Sequence, residues 1–86
     1  MDAQIQSTAP YPNPADNVIH IPLPGDGLPN RRLRIIDANG LIVADRRVDS
    51  ETTLIRFDIS ALKPGWYTYQ LYTTDRTLLT EKFIKK

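Results

Sequence analysis

Apolar and polar side chains alternate along most of this chain, in short runs that are separated by turn residues. The runs recur about every ten positions, and no segment of more than a few residues repeats at the helical period. Because successive side chains of a strand point to opposite faces, each run can bury one face and expose the other. The pattern predicts an all-β protein, an antiparallel β-sandwich of six or seven strands.

Each predicted strand has one apolar face. The strand at 17–23 contains Pro22, which lacks an N–H and therefore indicates an edge strand or its end. The other strands are predicted at 31–37, 41–48, 53–59, 66–73 and 78–85, and a stretch at 3–7 would supply a seventh at an edge. The inward side chains are predicted to be Ile19, Ile21 and Leu23, then Ile55, Phe57 and Ile59, and then Tyr67, Tyr69 and Leu71.

A hairpin is predicted around the turn at 37–40. Asp37 at its first position and Gly40 at its left-handed position favour a type I turn followed by a bulge. This turn would pair Ile35 with Val43 on a buried face. The alternative, a two-residue Asn-Gly turn, would pair Ile35 with Ala44 instead, and we favour the first.

Composition limits the functions that the chain can perform. Its 86 residues suffice for one domain, and a formal net charge of +1 argues against a nucleic-acid or acidic-membrane surface. Cysteine is absent, so the core must hold without disulfides. The first ten residues lack the apolar centre of a signal peptide, and no apolar run approaches the ~20 residues of a membrane-spanning helix.

Catalytic and metal-binding residue sets are not visible in the sequence. His20 is the single histidine, so neither a histidine-based metal site nor a histidine-activated nucleophile can be assembled, and we expect His20 to be an exposed strand residue. Asp37, Asn39 and Gly40 resemble the start of a calcium loop but lack its terminal glutamate, which favours a turn. We expect a non-enzymatic domain without cofactor or metal.

Arginines and aromatic residues predict two surface features. Five arginines on the hairpin alternate with acidic residues and predict a solvent-facing strip of mixed charge: Arg31, Arg32, Arg34, Arg46 and Arg47. Trp66, Tyr69 and Tyr72 could stack on a carbohydrate if they shared an exposed face. Alternation separates Trp66 and Tyr72 from Tyr67 and Tyr69, which favours a core role for the latter pair.

Four segments in order point to a known family. They are Tyr11-Pro12-Asn13-Pro14-Ala15, then residues 33–40 with Val43, then Phe57 to Tyr67, and finally Thr80 to Lys86. This order resembles the C-terminal sorting domain of the type IX (Por) secretion system of Bacteroidetes, from about Pro10 to the last residue. Trp66 and Leu41 depart from the usual pattern, which has a small or polar residue at the first position and Arg or Lys at the second.

The resemblance implies an Ig-like sandwich at 10–86, preceded at 1–9 by a linker from an upstream cargo protein. It implies that the domain folds in the periplasm and that the outer-membrane translocon and shuttle proteins of the system recognise it. A sortase-like transpeptidase then removes the domain in many members, and the cargo is anchored at the cell surface or released. The alternatives are an Ig- or fibronectin-like adhesion or spacer module and a carbohydrate-binding accessory module.

The resemblance also places much of the sorting signal in the last strand. Carried onto this sequence, the residues implied in recognition are Gly65, Tyr67, Lys82, Ile84, Lys85 and Lys86. We expect Tyr67 to be a core anchor, and either Ile84 or Phe83 to seat the last strand, which leaves the lysines as a basic tip. An exposed edge strand could also pair two copies of the chain, which predicts a strand-mediated homodimer of isolated domains.

Overall fold

Six antiparallel strands in two sheets make up the protein in a computed structural model that describes residues 9–25 and 27–86. The strands are β1 (Val18–Pro22), β2 (Arg31–Asp37), β3 (Ile42–Val48), β4 (Leu54–Asp58), β5 (Gly65–Tyr72) and β6 (Thr77–Lys85). None of the described residues forms a helix long and apolar enough to cross a membrane. The possible strand at 3–7 lies outside the described residues, and the boundary between linker and domain stays a prediction.

The strand order is that of an immunoglobulin-like sandwich. One sheet pairs β1 with β4, and the other has the order β3-β2-β5-β6. These correspond to strands B and E facing strands C′, C, F and G of the immunoglobulin arrangement. The predicted all-β sandwich is confirmed with six strands, and β1, which contains Pro22, is an edge strand as predicted.

The core lies between the two sheets and consists of the predicted inward faces. The small sheet contributes Ile19 and Ile21, which are fully buried, together with side chains of β4. The large sheet contributes Tyr69 and Phe83, also fully buried. All nine side chains predicted to point inward are buried: Ile19, Ile21, Leu23, Ile55, Phe57, Ile59, Tyr67, Tyr69 and Leu71.

The β2–β3 turn has the predicted form, but the register behind it is different. The Gly40 amide donates to the Asp37 carbonyl at 3.0 Å, and Gly40 has φ +85°, as the type I turn with a glycine bulge requires. Ile36 nevertheless pairs with Ile42 and Ile35 with Ala44, so the predicted pairing of Ile35 with Val43 is wrong. A second bulge at this point leaves Val43 as an extra residue that is exposed, and Ala44 packs against the core in its place.

Arg31 corrects the prediction of a solvent-facing arginine strip. Its side chain is fully buried, and its guanidinium donates to the carbonyls of Pro24 at 2.6 Å, Asp49 at 2.5 Å and Thr52 at 2.9 Å. The reason is alternation, because Arg31 shares the inward face of β2 with Leu33. It joins three loop carbonyls at one end of the sandwich.

Candidate functional site

β6, the strand that the resemblance singles out, lies at an edge of the four-stranded sheet. Its partner in the sheet is β5, with Tyr67 opposite Phe83 and Thr68 opposite Lys82. Phe83 seats the strand, since it is fully buried and stacks on the ring of Tyr67 at a centroid distance of 5.5 Å. Either Ile84 or Phe83 was predicted to seat the last strand, and Phe83 is the one that packs in the core.

The outer side of β6 is partly covered by the leading segment, which we define as Tyr11–Ala15. The Ala15 amide donates to the Ile84 carbonyl at 2.8 Å, and the Lys86 amide donates to the Ala15 carbonyl at 2.8 Å. The Ile84 amide donates to Oδ1 of Asn13 at 2.9 Å. Ala15 is fully buried, so the leading segment is fixed to the last residues of the chain.

The leading segment also explains the position of His20. Tyr11 and His20 exchange two main-chain hydrogen bonds of 2.9 and 2.7 Å, and their rings stack with centroids 5.1 Å apart. His20 is half-buried rather than exposed as predicted, because the leading segment folds back along β1 and covers it. The imidazole is therefore part of a ring stack between two segments of the fold.

The six residues implied in recognition meet at one end of the β5–β6 pair but differ in environment. Lys82 and Lys86 are exposed, and Ile84 is half-buried on the outward face of the sheet. Lys85 is 8% exposed, and its Nζ donates to the Lys86 carbonyl at 3.1 Å. The prediction that Lys85 belongs to an exposed basic tip is wrong, because alternation places it on the inward face with Phe83.

Gly65 and Tyr67 perform a structural task at the start of β5. Gly65 has φ +146°, a conformation that is almost restricted to glycine. The Tyr67 hydroxyl donates to the Lys63 carbonyl, four residues upstream, at 2.5 Å. This is the tyrosine corner of immunoglobulin-like sandwiches, and it confirms that Tyr67, at 6% exposed, is a core anchor.

Apolar side chains are exposed at the same end of the large sheet. Trp66 is 55% exposed and lies opposite Ile84 on the outward face. Beside it, a groove of about 390 Å³ runs between the 37–40 turn and the corner at 61–67, with Val43, Leu62 and Trp66 among its lining residues. These side chains form a small exposed apolar surface at this end of the sheet.

Charged side chains occupy the other end of the outward face. Asp45 accepts hydrogen bonds from the Tyr72 hydroxyl at 2.6 Å and from Nε of Arg32 at 2.9 Å. These two hydrogen bonds hold the pKa of Asp45 below its usual range, and the bond from Tyr72 has the larger effect. Arg34 lies over the ring of Tyr72 at 4.3 Å, so the predicted mixed-charge strip is confirmed for Arg32 and Arg34. The guanidinium of Arg34 therefore occupies the aromatic face of Tyr72.

The arrangement is suited to binding an extended chain. A sheet edge presents main-chain donors and acceptors, and the exposed lysines beside it favour an acidic partner. Sequence reasoning missed Asn13 and Ala15, although Asn13 stands between two prolines that cannot donate hydrogen bonds. A polar side chain in a segment with few main-chain donors was the signal that could have identified Asn13.

Comparison with known proteins agrees with this geometry. The family model described as a secretion system C-terminal sorting domain matches residues 9–86. No curated protein matches the chain. The matched region contains all six strands together with the leading segment. The chain therefore belongs to the family of C-terminal sorting domains of the type IX secretion system, which direct attached proteins through the secretion machinery, across the outer membrane, to the cell surface or the medium.

Proposed function

We propose that the secretion machinery recognises this domain through β6 and the exposed lysines beside it. In this proposal the domain folds in the periplasm, and shuttle proteins and the outer-membrane translocon bind it there. The observation that carries the proposal is the position of β6 at a sheet edge, with Lys82 exposed on it and Lys86 exposed just after it. An edge strand can pair with a strand of another protein, and main-chain pairing of this kind gives affinity without a deep pocket.

We further propose that a sortase-like transpeptidase removes the domain after export, and that the cargo is then anchored at the cell surface or released. Membership in the family supports this step. The leading segment supports it as well, because Tyr11, Pro12 and Pro14 are exposed at the side of the domain where the cargo would be attached. Cleavage upstream of this segment would leave the sandwich intact.

We infer that the domain itself is not an enzyme. Its single histidine is stacked on Tyr11. The Asp37 carboxylate accepts hydrogen bonds from the amides of Asn39 and Leu41, both at 2.9 Å, so it serves the turn. Among the described residues, no three His, Cys, Asp or Glu side chains lie together as metal ligands would.

A homodimer formed through the β6 edge is a further proposal for the isolated domain. It rests on the part of the β6 edge that the described residues leave unpaired, which two copies could join in an antiparallel manner. Sedimentation velocity across a concentration series tests it. A single monomeric species at every concentration would contradict the homodimer without affecting the sorting role.

One observation favours carbohydrate binding as a second candidate function. Trp66 is exposed beside the groove at the 61–67 corner, so a sugar ring could stack on it. Tyr69 is buried and Tyr72 lies under Arg34, which leaves Trp66 as the aromatic platform of β5. Glycan-array binding that is lost in Trp66→Ala would support this function, whereas an array without binding would contradict it.

The sorting role is tested by export of a reporter. We expect a fluorescent protein with a signal peptide and this domain at its C-terminus to reach the medium or cell surface of a host with the type IX system. Export should be lost in a host without a functional translocon. Periplasmic retention of the reporter in the complete host would contradict the proposal.

Charge reversal then tests the lysines within the same fusion. Lys82→Glu combined with Lys86→Glu should lower export by about tenfold, because an acidic partner would be repelled. Arg46→Glu combined with Arg47→Glu is the matched control, since this pair undergoes the same change in charge and is also exposed but lies on β3 at the opposite edge of the sheet. Equal export of the two variants would contradict a role for these lysines.

A further inference from the structure

The outer edge of β6 is divided into a covered part and an open part. In an antiparallel strand, the main-chain N–H and C=O groups of one residue point to the same side, and successive residues alternate. Ile84 directs both groups outward, to Asn13 and Ala15. Lys82 and Thr80 lie two and four residues before Ile84, so their main-chain N–H and C=O groups also point outward. The described residues provide no main-chain partner for these groups.

The leading segment covers only the end of this edge because it turns away toward the other sheet. Tyr11 exchanges its main-chain hydrogen bonds with His20 of β1, so the segment reaches β6 only through Asn13 and Ala15, at the end of the strand. The side chain of Asn13 replaces a main-chain acceptor for the Ile84 amide. Ala15 supplies both of its main-chain groups and is fully buried. We call Asn13–Ala15 the edge clamp.

We propose that a strand of the partner protein pairs with β6 over Leu79–Lys82, beyond the bulge at Leu78, and that the edge clamp ends this pairing at Lys82. The proposal rests on the proposed function, since it specifies how the secretion machinery would bind the sorting domain. Ile84 and Lys86 then contribute to recognition through the outward side chain of Ile84 and the exposed charge of Lys86, and not through strand addition. The clamp also shortens the open edge, which limits non-specific pairing with other chains.

The side chains along the open edge define the partner strand. Thr80 and Lys82 are exposed on the outward face, so a carboxylate at the adjacent position of the partner would pair with Lys82. On the other face Leu79 and Glu81 are both half-buried, so a partner side chain beside Leu79 would be apolar and one beside Glu81 would carry a hydrogen-bond donor or a positive charge. We therefore expect an extended segment with an acidic residue on one face, and with an apolar residue and a donor or basic residue on the other.

Amide hydrogen exchange of the complete 86-residue chain tests the clamp without any partner. At a concentration where the chain is monomeric, the amides of Ile84 and Lys86 should be protected, whereas those of Thr80 and Lys82 should exchange rapidly. Asn13→Ala should accelerate exchange at Ile84 by about tenfold, because it removes the acceptor. Asn13→Asp is the matched control and should preserve protection, since it retains Oδ1. Protection of Thr80 and Lys82 equal to that of Ile84 would overturn the proposal, and so would unchanged exchange at Ile84 in Asn13→Ala.

Proline substitution tests the open edge in the reporter fusion. Lys82→Pro removes an outward N–H and leaves the β5–β6 hydrogen bonds in place, so it should block strand addition and lower export by about tenfold relative to Lys82→Gln, which loses the same charge but keeps the N–H. Arg47→Pro is the matched control, because alternation along the β2–β3 pair places the Arg47 amide on the outer edge of β3 and both substitutions remove one positive charge. Export of Arg47→Pro should stay close to that of the unmodified domain.

Thermal unfolding of the purified variants shows whether each one folds, and Thr80→Pro replaces Lys82→Pro if that variant does not. Export of a folded Lys82→Pro domain at the level of Lys82→Gln, or of a folded Thr80→Pro domain at the unmodified level, would overturn the strand-addition proposal, while the sorting function would stand. Failure of the unmodified fusion to leave the periplasm would instead contradict the proposed function. The two failures are therefore distinguishable.

Discussion

Arg31→Met removes the guanidinium that joins three loop carbonyls. Arg31 is fully buried, and its two terminal nitrogens donate to Pro24, Asp49 and Thr52 at 2.5 to 2.9 Å. Methionine preserves most of the apolar stem of arginine but none of its donors. The substitution therefore isolates the hydrogen bonds from the packing.

The expected loss of stability in Arg31→Met follows from the number and the exposure of these hydrogen bonds. A hydrogen bond to a charged group contributes about 1.5–3 kcal/mol, so three of them set an upper limit of roughly 5–9 kcal/mol. Water can reach part of these loops after the substitution, and the buried charge no longer needs to be desolvated. We expect the free energy of unfolding to fall by about 2–4 kcal/mol, from a total of roughly 4–13 kcal/mol for a chain of this length. The melting temperature should fall by about 10–25 °C.

Urea denaturation followed by circular dichroism measures this loss, and Arg32→Met is its matched control. Arg32 is the next residue along β2, but it is half-exposed and makes one ion pair, with Asp45 at 2.9 Å. Exposed pairs of this kind contribute little, so Arg32→Met should be far less destabilised. Equal destabilisation of the two variants would refute the role assigned to the buried guanidinium.

Three further predictions concern stability. Phe83→Ala should lower the free energy of unfolding by about 3–5 kcal/mol in urea denaturation, and the half-buried Ile84→Ala should lose much less. Gly40→Ala should lower the free energy of unfolding by about 1–2 kcal/mol in the same assay, because Gly40 has φ +85°. A Cβ at this position would meet no atom within 4 Å, so backbone strain accounts for the whole loss. The depressed pKa of Asp45 means that its contact with Tyr72 stabilises the fold above the unfolded pKa of about 3.9 and is lost as the pH falls through the folded value. Asp45→Asn should therefore be less stable than the unmodified chain at pH 6 and should approach it at pH 3.

Each of these predictions can fail in a defined way. A larger loss in Ile84→Ala than in Phe83→Ala would mean that the outward face, and not the core, holds β6 in place. An unchanged stability of Gly40→Ala would contradict the bulge geometry of the turn. A stability difference between Asp45→Asn and the unmodified chain that is the same at pH 3 and pH 6 would exclude ionisation of Asp45 as its cause.

Local patterns were sufficient for the strands, the inward faces and the β2–β3 turn. Alternation depends on neighbouring residues alone, because the side-chain period of a strand is fixed by its backbone. Proline and glycine act just as locally, so Pro22 identified an edge strand and Gly40 the left-handed position of the turn. The order of four short segments was enough to indicate the family.

Packing between distant segments decided the rest. Alternation alone puts Arg31 and Lys85 on inward faces, but whether these side chains are buried there depends on the segments that pack over them. The bulge at Val43 depends on the strand that lies opposite, and no local pattern contains that information.

The edge clamp shows most clearly what the tertiary structure adds to the sequence. The sequence by itself determined a donor-poor leading segment and a final strand with an apolar inward face. Only the folded chain places Asn13 against Ile84, 71 positions away, and so divides the edge of β6 into a covered end and an open stretch. The physical reason is that segments distant in the chain form a hydrogen bond only where the core has brought them together. That core forms only when side chains of both sheets pack against each other.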